Sequence, residues 1–540
     1  MSASTKKKLR SEEASASLTE KQVAARKEAR KVKLYTVLTC VVLALMILTV
    51  VVVAVVNSGI LTRNTTALKV GDHDIKAVEM NYSYMDEINN FLNQAGNYLP
   101  LLGLDVAKPL DEQVQNPDTG ATWADYFVDM AKNSLRSSYA MADAAAAEGF
   151  TLTDEENAAI DQMMDSLDAA AAAQQLPDAK SYLVALFGNG ASVKTYREYY
   201  TRQALVRSYM AKHQNDLTYD DAALREAEAE NYNKYSSYTY NSYYLGTSAF
   251  LTGGTTDDEG NTTYSDEEKA AAAEKAEAAF KDVVKATSLE EFDAAIAAMD
   301  VTKDKENVAS TRFEDVLYGS QDMSSTITEW VTSDERVEGD ITYLPATTTA
   351  EDGTVTTNGF YAVYFHSSND NTMPLINVRH ILVGFEGGTK NEDGTTTYSD
   401  EEKAAAKEKA EAILNEWKSG DATEESFGAL ATEKSTDQGS KANGGLYENV
   451  APKTMVEPFD TWCFDASRKA GDTGIVETDF GYHVMYFVGN SDTTYRDAMI
   501  KTELTNTDME NWFNEIVEAV EVNEVNTSKV KKDLVIKVNG

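Results

Sequence analysis

The longest apolar stretch of the chain runs over residues 34–56 and contains no charged side chain. A helix of this length is about 34 Å long, enough to cross the hydrocarbon core of a bilayer. Residues 1–33 contain ten Lys and Arg against four Glu, a net charge of +6, whereas the whole 540-residue chain carries −39 and the remainder therefore −45. The positive-inside rule predicts a single-pass anchor in the cell membrane, with a cytoplasmic N-terminus and the bulk of the chain extracytoplasmic.

A cleaved signal peptide is the alternative interpretation of this span. Signal peptides have an apolar core of about 7–15 residues followed by a small-x-small cleavage site. Residues 34–56 are longer than such a core, and Ala54-Val55-Val56 is a poor cleavage site. We favour an uncleaved transmembrane helix that follows a cytoplasmic basic tail over residues 1–33, which we expect to be disordered or weakly helical.

Residues 58–235 show mainly helical periodicity. A short strand–turn–strand pattern at 67–75 precedes segments such as 123–146 and 193–209, in which apolar side chains recur at helical spacing. Thr153 and Glu156 have the spacing of a capping box, which predicts a helix start. The frequent Tyr and Met residues are those of helix–helix cores, and an adaptable surface for unfolded chains is the alternative for some of them. The pattern predicts a helical domain.

An internal repeat organises the rest of the chain. The sequence TTYSDEEKAAA occurs at 262–272 and again at 396–406, and each copy contains a Ser-x-x-Glu capping box. Two further pairs of similar segments follow, at 330–340 and 462–472, and at 359–365 and 481–487. The repeat predicts two related modules, residues 236–368 and 374–490.

The later module carries an ordered series of polar and apolar residues. It opens on the alternating strand pattern 377–383, continues through Ser435-Thr436-Asp437 and Gly444-Gly445-Leu446, and closes on 478–487. This series resembles the parvulin family of peptidyl-prolyl cis-trans isomerases over the whole module. The resemblance implies a four-stranded antiparallel sheet flanked by helices, with no cofactor and no metal.

The resemblance also implies roles for individual side chains. The catalytic floor would consist of four polar residues: His380, Asp437, Thr478 and His483. The proline ring would lie in an apolar cup with an aromatic residue on its rim: Leu446, Met455, Phe459 and Phe480. The alternative is that the histidines are satisfied core residues and that the apolar side chains are ordinary core, as in any fold.

The sequence departs from the family pattern in two ways. The family commonly has an acidic residue before the leucine, whereas here Gly445 precedes Leu446 directly, and one extra residue precedes Met455. The rim loop is therefore altered. The earlier module has Tyr361 where the later one has His483, and it has no histidine over residues 236–250. It keeps scaffold residues and loses the polar centre, which makes it a degenerate copy.

Together these patterns predict an α+β protein: a transmembrane helix, a helical chaperone-like domain and two parvulin-like modules. A helix over 495–520 and a closing strand at 534–538 are expected to complete the helical domain. The whole is similar to PrsA/SurA-like extracytoplasmic foldases, which implies an isomerase and chaperone for exported proteins with X-Pro bonds. A non-catalytic holdase or scaffold is the alternative. The negative charge excludes a nucleic-acid partner, and no pattern indicates an oligomeric state.

Overall fold

The computed structural model describes residues 3–16, 20–99, 101–256, 262–320, 323–350, 353–391, 394–527 and 530. The chain divides into two compact units. The first comprises residues 1–217 together with 507–540, and the second comprises residues 218–506.

The N-terminal segment is helical. Three helices occur in it, α1 (Ala3–Ala16), α2 (Glu20–Asn57) and α3 (Ile60–Asn64). The basic segment, expected to be disordered or weakly helical, is helical over its described residues, and residues 20–33 are continuous with the apolar span in α2. The Ala, Lys, Arg and Glu residues of this segment are good helix formers. Among the described residues one helix, Ala24–Asn57, is long and apolar enough to cross a membrane.

The first unit is mainly helical, with a small sheet at its start. Its strands are β1 (Thr66–Val70), β2 (His73–Lys76), β3 (Val114–Asn116) and β4 (Ala121–Thr122). Its helices are α4 (Ala77–Ala95), α5 (Trp123–Ala147), α6 (Asp154–Ala173), α7 (Ala179–Phe187) and α8 (Val193–Asp216). The predicted strand–turn–strand and the capping box of Thr153 with Glu156 at the start of α6 are confirmed. Tyr82, Tyr84 and Tyr209 are fully buried, so these tyrosines are core residues.

The second unit opens on a four-stranded antiparallel sheet. Its helices are α9 (Asp221–Glu230), α10 (Asp266–Ala279), α11 (Leu289–Ala298) and α12 (Ser325–Val331). Its strands are β5 (Ser237–Gly246), β6 (Thr255–Thr256), β7 (Thr262–Thr263), β8 (Thr311–Leu317), β9 (Ile341–Thr349) and β10 (Val355–Asn369). The strand order in this first sheet is β8-β5-β10-β9, and β6 pairs with β7 in a small hairpin.

A second four-stranded antiparallel sheet follows in the same unit. Its strands are β11 (Pro374–Gly384), β14 (Leu446–Val450), β15 (Thr473–Thr478) and β16 (Gly481–Thr494), with a hairpin of β12 (Thr389–Lys390) and β13 (Thr396–Thr397). Its helices are α13 (Asp400–Ser419), α14 (Glu424–Lys434) and α15 (Glu457–Cys463). The strand order is β14-β11-β16-β15, so the two sheets connect their strands in the same way. The two predicted capping boxes, at Ser265 in α10 and Ser399 in α13, are confirmed.

The two faces of the second sheet bury different clusters. Ile381 and Val484 face α13 and α14, where they pack with Phe427. Val378 and Met485 lie on the other face, in a cluster with residues of α15. Side chains alternate along each strand, and the polar residues of the candidate site share this second face.

The C-terminal segment begins with α16 (Tyr495–Glu518) and continues to β17 (Val522–Glu524). Strand β17 pairs antiparallel with β1, and the Trp512 ring stacks on His213 with 3.8 Å between the ring centroids. The strand predicted at 534–538 lies outside the described residues.

Arg496, near the start of α16, is a buried charge at a junction of chain segments in the second unit. Its side chain is 1% exposed. The guanidinium lies 2.5 Å from a Glu228 carboxylate oxygen and donates to the backbone carbonyls of Tyr232 (2.6 Å) and Asp370 (2.9 Å). It also stacks over the Tyr232 ring at 3.8 Å from the centroid. One buried cation therefore ties together α9, the segment before β5 and the segment between the two sheets.

We expect Arg496→Met to lower the free energy of unfolding of the second unit by about 3–5 kcal/mol, because it leaves the largely buried Glu228 carboxylate and two backbone carbonyls without this donor. The measurement is urea unfolding of the full chain followed by tryptophan fluorescence. Lys234→Met is the matched control: its ion pair with Glu503 is partly exposed, so a loss below about 1 kcal/mol is expected. Equal losses for the two variants would contradict the junction role of Arg496.

Candidate active site

Two neighbouring central strands bring two histidines together. His380 on β11 and His483 on β16 are 3% and 5% exposed. In the register of this pair Leu382 lies opposite His483, so the histidines are diagonal neighbours on one sheet face. Their Nδ1 atoms are 3.0 Å apart and their rings are nearly parallel, at 21°. The two imidazoles therefore share one hydrogen bond in a buried position.

Each histidine uses its other ring nitrogen for a second polar partner. His380 Nε2 lies 3.0 Å from a carboxylate oxygen of Asp437 and 3.0 Å from Ser440 Oγ. His483 Nε2 lies 2.9 Å from Thr478 Oγ1. The four polar residues named from the resemblance are thus connected in the order Asp437, His380, His483, Thr478.

The charge of Asp437 follows from its hydrogen bonds. Burial raises the pKa of this carboxyl, but donors outweigh that effect and hold the pKa well below its ordinary value. These donors are Ser440 Oγ at 2.5 Å, the backbone N–H of Gly439 at 3.1 Å, His380 Nε2 and the Tyr447 hydroxyl at 3.0 Å. Asp437 is therefore ionised at neutral pH and only accepts hydrogen bonds.

An ionised Asp437 fixes the direction of the whole chain of hydrogen bonds. Because Asp437 only accepts, His380 donates from Nε2, and a neutral His380 then accepts at Nδ1 from His483. A neutral His483 in turn accepts at Nε2 from the Thr478 hydroxyl, whose oxygen accepts from the backbone N–H of Phe480 at 3.2 Å. Every donor points towards the carboxylate.

Both histidines are neutral because of their surroundings. Burial lowers the pKa of His380, although Asp437 acts against this effect. Burial and then the neighbouring His380 lower the pKa of His483 to about 4. A second proton on His380 would sit on Nδ1 and face the Nδ1–H of His483, so that two donors would meet at the shared contact. A second proton on His483 would sit on Nε2, where the Thr478 hydroxyl could no longer donate to it.

An apolar wall adjoins this polar chain. Phe459 on α15 is 2% exposed and presents its ring edge-on to both histidines, with centroid distances of 5.5 Å to His380 and 5.4 Å to His483. Met455 is half-buried and packs against the same cluster, which also contains Val476 and Met485. The arrangement combines apolar surface with a fixed negative charge and neutral imidazoles.

One residue of the predicted cup lies elsewhere, and the residue predicted on its rim is exposed. Among the described residues, the apolar cluster around Phe459 does not include Leu446. Leu446 pairs with Arg379 on β11, one position before His380, and alternation along the strand places it on the opposite sheet face. Phe480 is 63% exposed in the turn between β15 and β16, outside the buried cluster.

Two further residues of the site were not among the predicted site residues. Tyr447 pairs with Val378 on the histidine face, donates to Asp437 and lies against the His380 ring with 5.3 Å between centroids. Ser440 donates to Asp437 through both its hydroxyl and its backbone N–H. The three-residue spacing of Asp437 and Ser440 is that of local side-chain turns and was the available signal. Among the described residues no cluster of His, Cys, Asp or Glu suits a metal ion.

Known proteins with similar sequences match the part of the chain that contains this site. Residues 364–490 match the family model of the PPIC-type PPIASE domain. Over 144 residues the chain is 33% identical to foldase protein PrsA 1 of Listeria innocua, covering 25% of this chain and 40% of that protein. Over 83 residues it is 40% identical to the putative peptidyl-prolyl cis-trans isomerase Cbf2 of Campylobacter jejuni, covering 15% of this chain and 30% of that protein.

The chain thus spans less than half the length of these curated relatives. The crystal structure of PrsA from Bacillus subtilis is also similar, with 13% identity, a TM-score of 0.28 and coverage of 74% of this chain and 87% of that one. The family match and the PrsA relative in sequence confirm the resemblance to PrsA-like parvulins.

The buried histidines predict a pH-dependent stability. The pKa of His483 is lowered to about 4 in the folded state, from its ordinary value of 6.5, and the pKa of His380 is lowered as well. Below pH 6.5 these histidines therefore bind protons in the unfolded chain but remain neutral in the folded one. Stability is full above pH 6.5 and falls by about 1.4 kcal/mol per pH unit as the pH decreases towards 4 because of His483, and the lowered pKa of His380 adds a further loss in the same direction.

Urea unfolding of the full chain at several pH values between these limits measures the slope. His483→Asn should be less stable at neutral pH but should show a shallower slope, since it removes one titrating group. An unchanged slope in this variant would contradict the assignment of a buried neutral imidazole to His483.

Proposed function

We propose that residues 374–490 catalyse peptidyl-prolyl cis-trans isomerisation of exported proteins. The observation that carries the proposal is the buried chain from Thr478 through the two histidines to ionised Asp437, next to the apolar surface of Phe459 and Met455. The match of residues 364–490 to the PPIC-type domain supports it. The proposed catalytic floor is His380, Asp437, Thr478 and His483, with Ser440 and Tyr447 holding the carboxylate.

The reaction suits such a site because it breaks no bond. Rotation about an X–Pro bond has a barrier of about 18–20 kcal/mol, which arises from amide resonance. The apolar surface binds the proline ring and excludes water, and the preorganised polar groups favour the twisted amide over the planar one. The substrate gains no proton from Asp437, which is ionised, and the histidines serve mainly to hold the floor in shape.

The first sheet is proposed to be a non-catalytic copy of this scaffold. Its strand connections match those of the second sheet, but Ser242 and Tyr361 occupy the register positions that correspond to His380 and His483. The Tyr361 ring packs on Tyr244 with 5.0 Å between centroids. No buried acid–base pair replaces the histidines at these two positions.

The membrane location is part of the proposal. The uncharged segment 34–56 within α2 supports a single-pass anchor, and the +6 charge of residues 1–33 supports a cytoplasmic N-terminus. The two modules would then act outside the cytoplasmic membrane on unfolded or partly folded proteins that expose X-Pro bonds. The mainly helical first unit would hold such chains, as the PrsA-like resemblance implies.

Catalysis should depend on the apolar wall. Phe459→Ala and Met455→Ala should raise KM for a proline peptide at least about tenfold, because each removes apolar surface worth about 2–5 kcal/mol when buried. Asp437→Asn should lower kcat more than it raises KM, because it removes the fixed charge. The measurement is NMR exchange or a protease-coupled assay on the full chain, with the melting temperature of each variant.

Ile327→Ala is the matched control for this experiment. Ile327 is the third residue of α12, which belongs to the earlier module, and Phe459 is the third residue of α15 in the later one. Both side chains are buried. The control substitution should cost stability and leave the exchange rate unchanged. Full activity with both Phe459 and Met455 truncated would exclude this apolar wall as the proline-binding surface. If the wild-type chain suppresses aggregation but leaves exchange at the uncatalysed rate, the holdase alternative replaces the isomerase.

The anchor makes a separate prediction about topology. Protease added to intact cells should digest the chain after residue 58 and spare a small N-terminal fragment, since the membrane shields residues 1–56. Antibodies against the two ends of the chain measure this. A soluble secreted form that begins near Asn57 would instead indicate a cleaved signal peptide.

A further inference from the structure

Within the second unit, a lysine in a loop next to the second sheet contacts a strand of the first sheet. Lys453 lies between β14 and α15, and its Nζ donates to the backbone carbonyl of Glu314 at 2.7 Å. The same Nζ lies 3.5 Å from a carboxylate oxygen of Asp315. Both acceptors belong to β8, an edge strand of the first sheet. Strand β8 thus receives a side chain from the loop that leads to the proposed active site.

A β-bulge in β8 presents these acceptors. Tyr238 on β5 pairs with Val316 and Tyr240 pairs with Phe313, so Glu314 and Asp315 together oppose the single residue between the two tyrosines. Asp315 has a φ of 48°, and its N–H donates to Thr239 Oγ1 at 3.1 Å. Bulges bend an edge strand and redirect its polar groups. Here the bulge turns a carbonyl and a carboxylate towards Lys453.

The lysine itself occupies an unusual backbone position. Lys453 follows Pro452 in a turn closed by the N–H of Thr454 and the carbonyl of Ala451, and its φ is 64°. Glycine or asparagine ordinarily fills such a position, because other side chains are strained there. A lysine that breaks a local preference calls for a compensating contact. The bonds to Glu314 and Asp315 are that contact.

The same turn holds the apolar wall of the proposed site. The backbone N–H of Lys453 donates to a carboxylate oxygen of Asp460 at 2.8 Å, within helix α15. Phe459 precedes Asp460 in that helix, and Met455 lies two residues after Lys453. A displacement of Lys453 would therefore move Phe459, which adjoins the histidines, and Met455, which packs against the same apolar cluster.

We propose that Lys453 is a positioning residue through which strand β8 of the first sheet sets the shape of the proline-binding wall in the second sheet. This inference rests on the proposed isomerase function. It gives the non-catalytic sheet a structural role, since Asp315 and the Glu314 carbonyl hold the turn of residues 451–454. This turn fixes helix α15, which carries Phe459 against the histidines, and Met455, which packs in the same cluster.

The test uses substitutions that keep the backbone in place. Lys453→Gly removes the amine and suits the positive φ, so the turn itself is preserved. Asp315→Asn keeps the side-chain shape and also tolerates a positive φ. Both variants of the full chain should raise KM for a proline peptide, about two- to fivefold for Lys453→Gly and less for Asp315→Asn, as expected for a half-exposed ion pair. The turnover number should not change, because the polar floor is untouched.

Two variants control for charge. Lys453→Arg keeps a cation within reach and should behave as wild type. Glu314→Gln removes a neighbouring charge but leaves the backbone carbonyl that Lys453 uses, so it should have no effect. The double variant Lys453→Gly/Asp315→Asn should be no worse than Lys453→Gly alone, because both changes remove the same contact.

Amide hydrogen exchange of residues 451–463 provides a readout that does not depend on catalysis. Exchange there should be faster in Asp315→Asn, although the substitution lies in the other sheet. Unchanged exchange and unchanged KM in Asp315→Asn and Lys453→Gly would overturn the positioning role and leave the isomerase proposal intact. An inactive wild-type chain would overturn the isomerase instead, while the exchange measurement still decides whether β8 holds the turn.

Discussion

The ionised carboxylate of Asp437 is the constraint on which the polar centre of the second sheet depends. A carboxylate that only accepts forces His380 to donate, which leaves His380 Nδ1 as the acceptor for His483. The tautomers of two buried rings and the orientation of the Thr478 hydroxyl follow from one charge. If Asp437 were protonated, this order would be lost, since the carboxyl could donate to His380 and reverse each step.

The apolar wall and the chain of polar residues depend on each other for the burial and the hydrogen bonding of the two histidines. Phe459 closes one side of both imidazoles and so contributes to the burial that lowers their pKa values. The polar chain in turn satisfies every ring nitrogen of the pair, without which two buried imidazoles would cost several kcal/mol. A site built in this way is neutral apart from one well-held carboxylate, which suits a reaction that moves no proton.

Local chemistry explains what could be predicted from the sequence. Some features depend only on residues that are close in sequence, so they can be predicted from it. Examples are the capping box of Ser399 with Glu402 and the alternation along β11. The face occupied by Leu446 and Tyr447 depends on how β14 pairs with β11, where the register shifts between Ile376 and Val378. No local pattern encodes that shift, so Leu446 was expected in the cup and Tyr447 was missed. The family resemblance identified the two histidines as site residues, whereas the positions of Leu446 and Tyr447 depend on strand pairing.

The contrast between the two sheets shows why an edge strand can take on a new role. A bulge in a central strand disturbs two ladders of hydrogen bonds, whereas the bulge at Asp315 lies in an edge strand and disturbs only its pairing with β5. The first sheet has Ser242 and Tyr361 at the register positions of the histidine pair. The bulge in its edge strand presents the Glu314 carbonyl and the Asp315 carboxylate outward, and Lys453 contacts both.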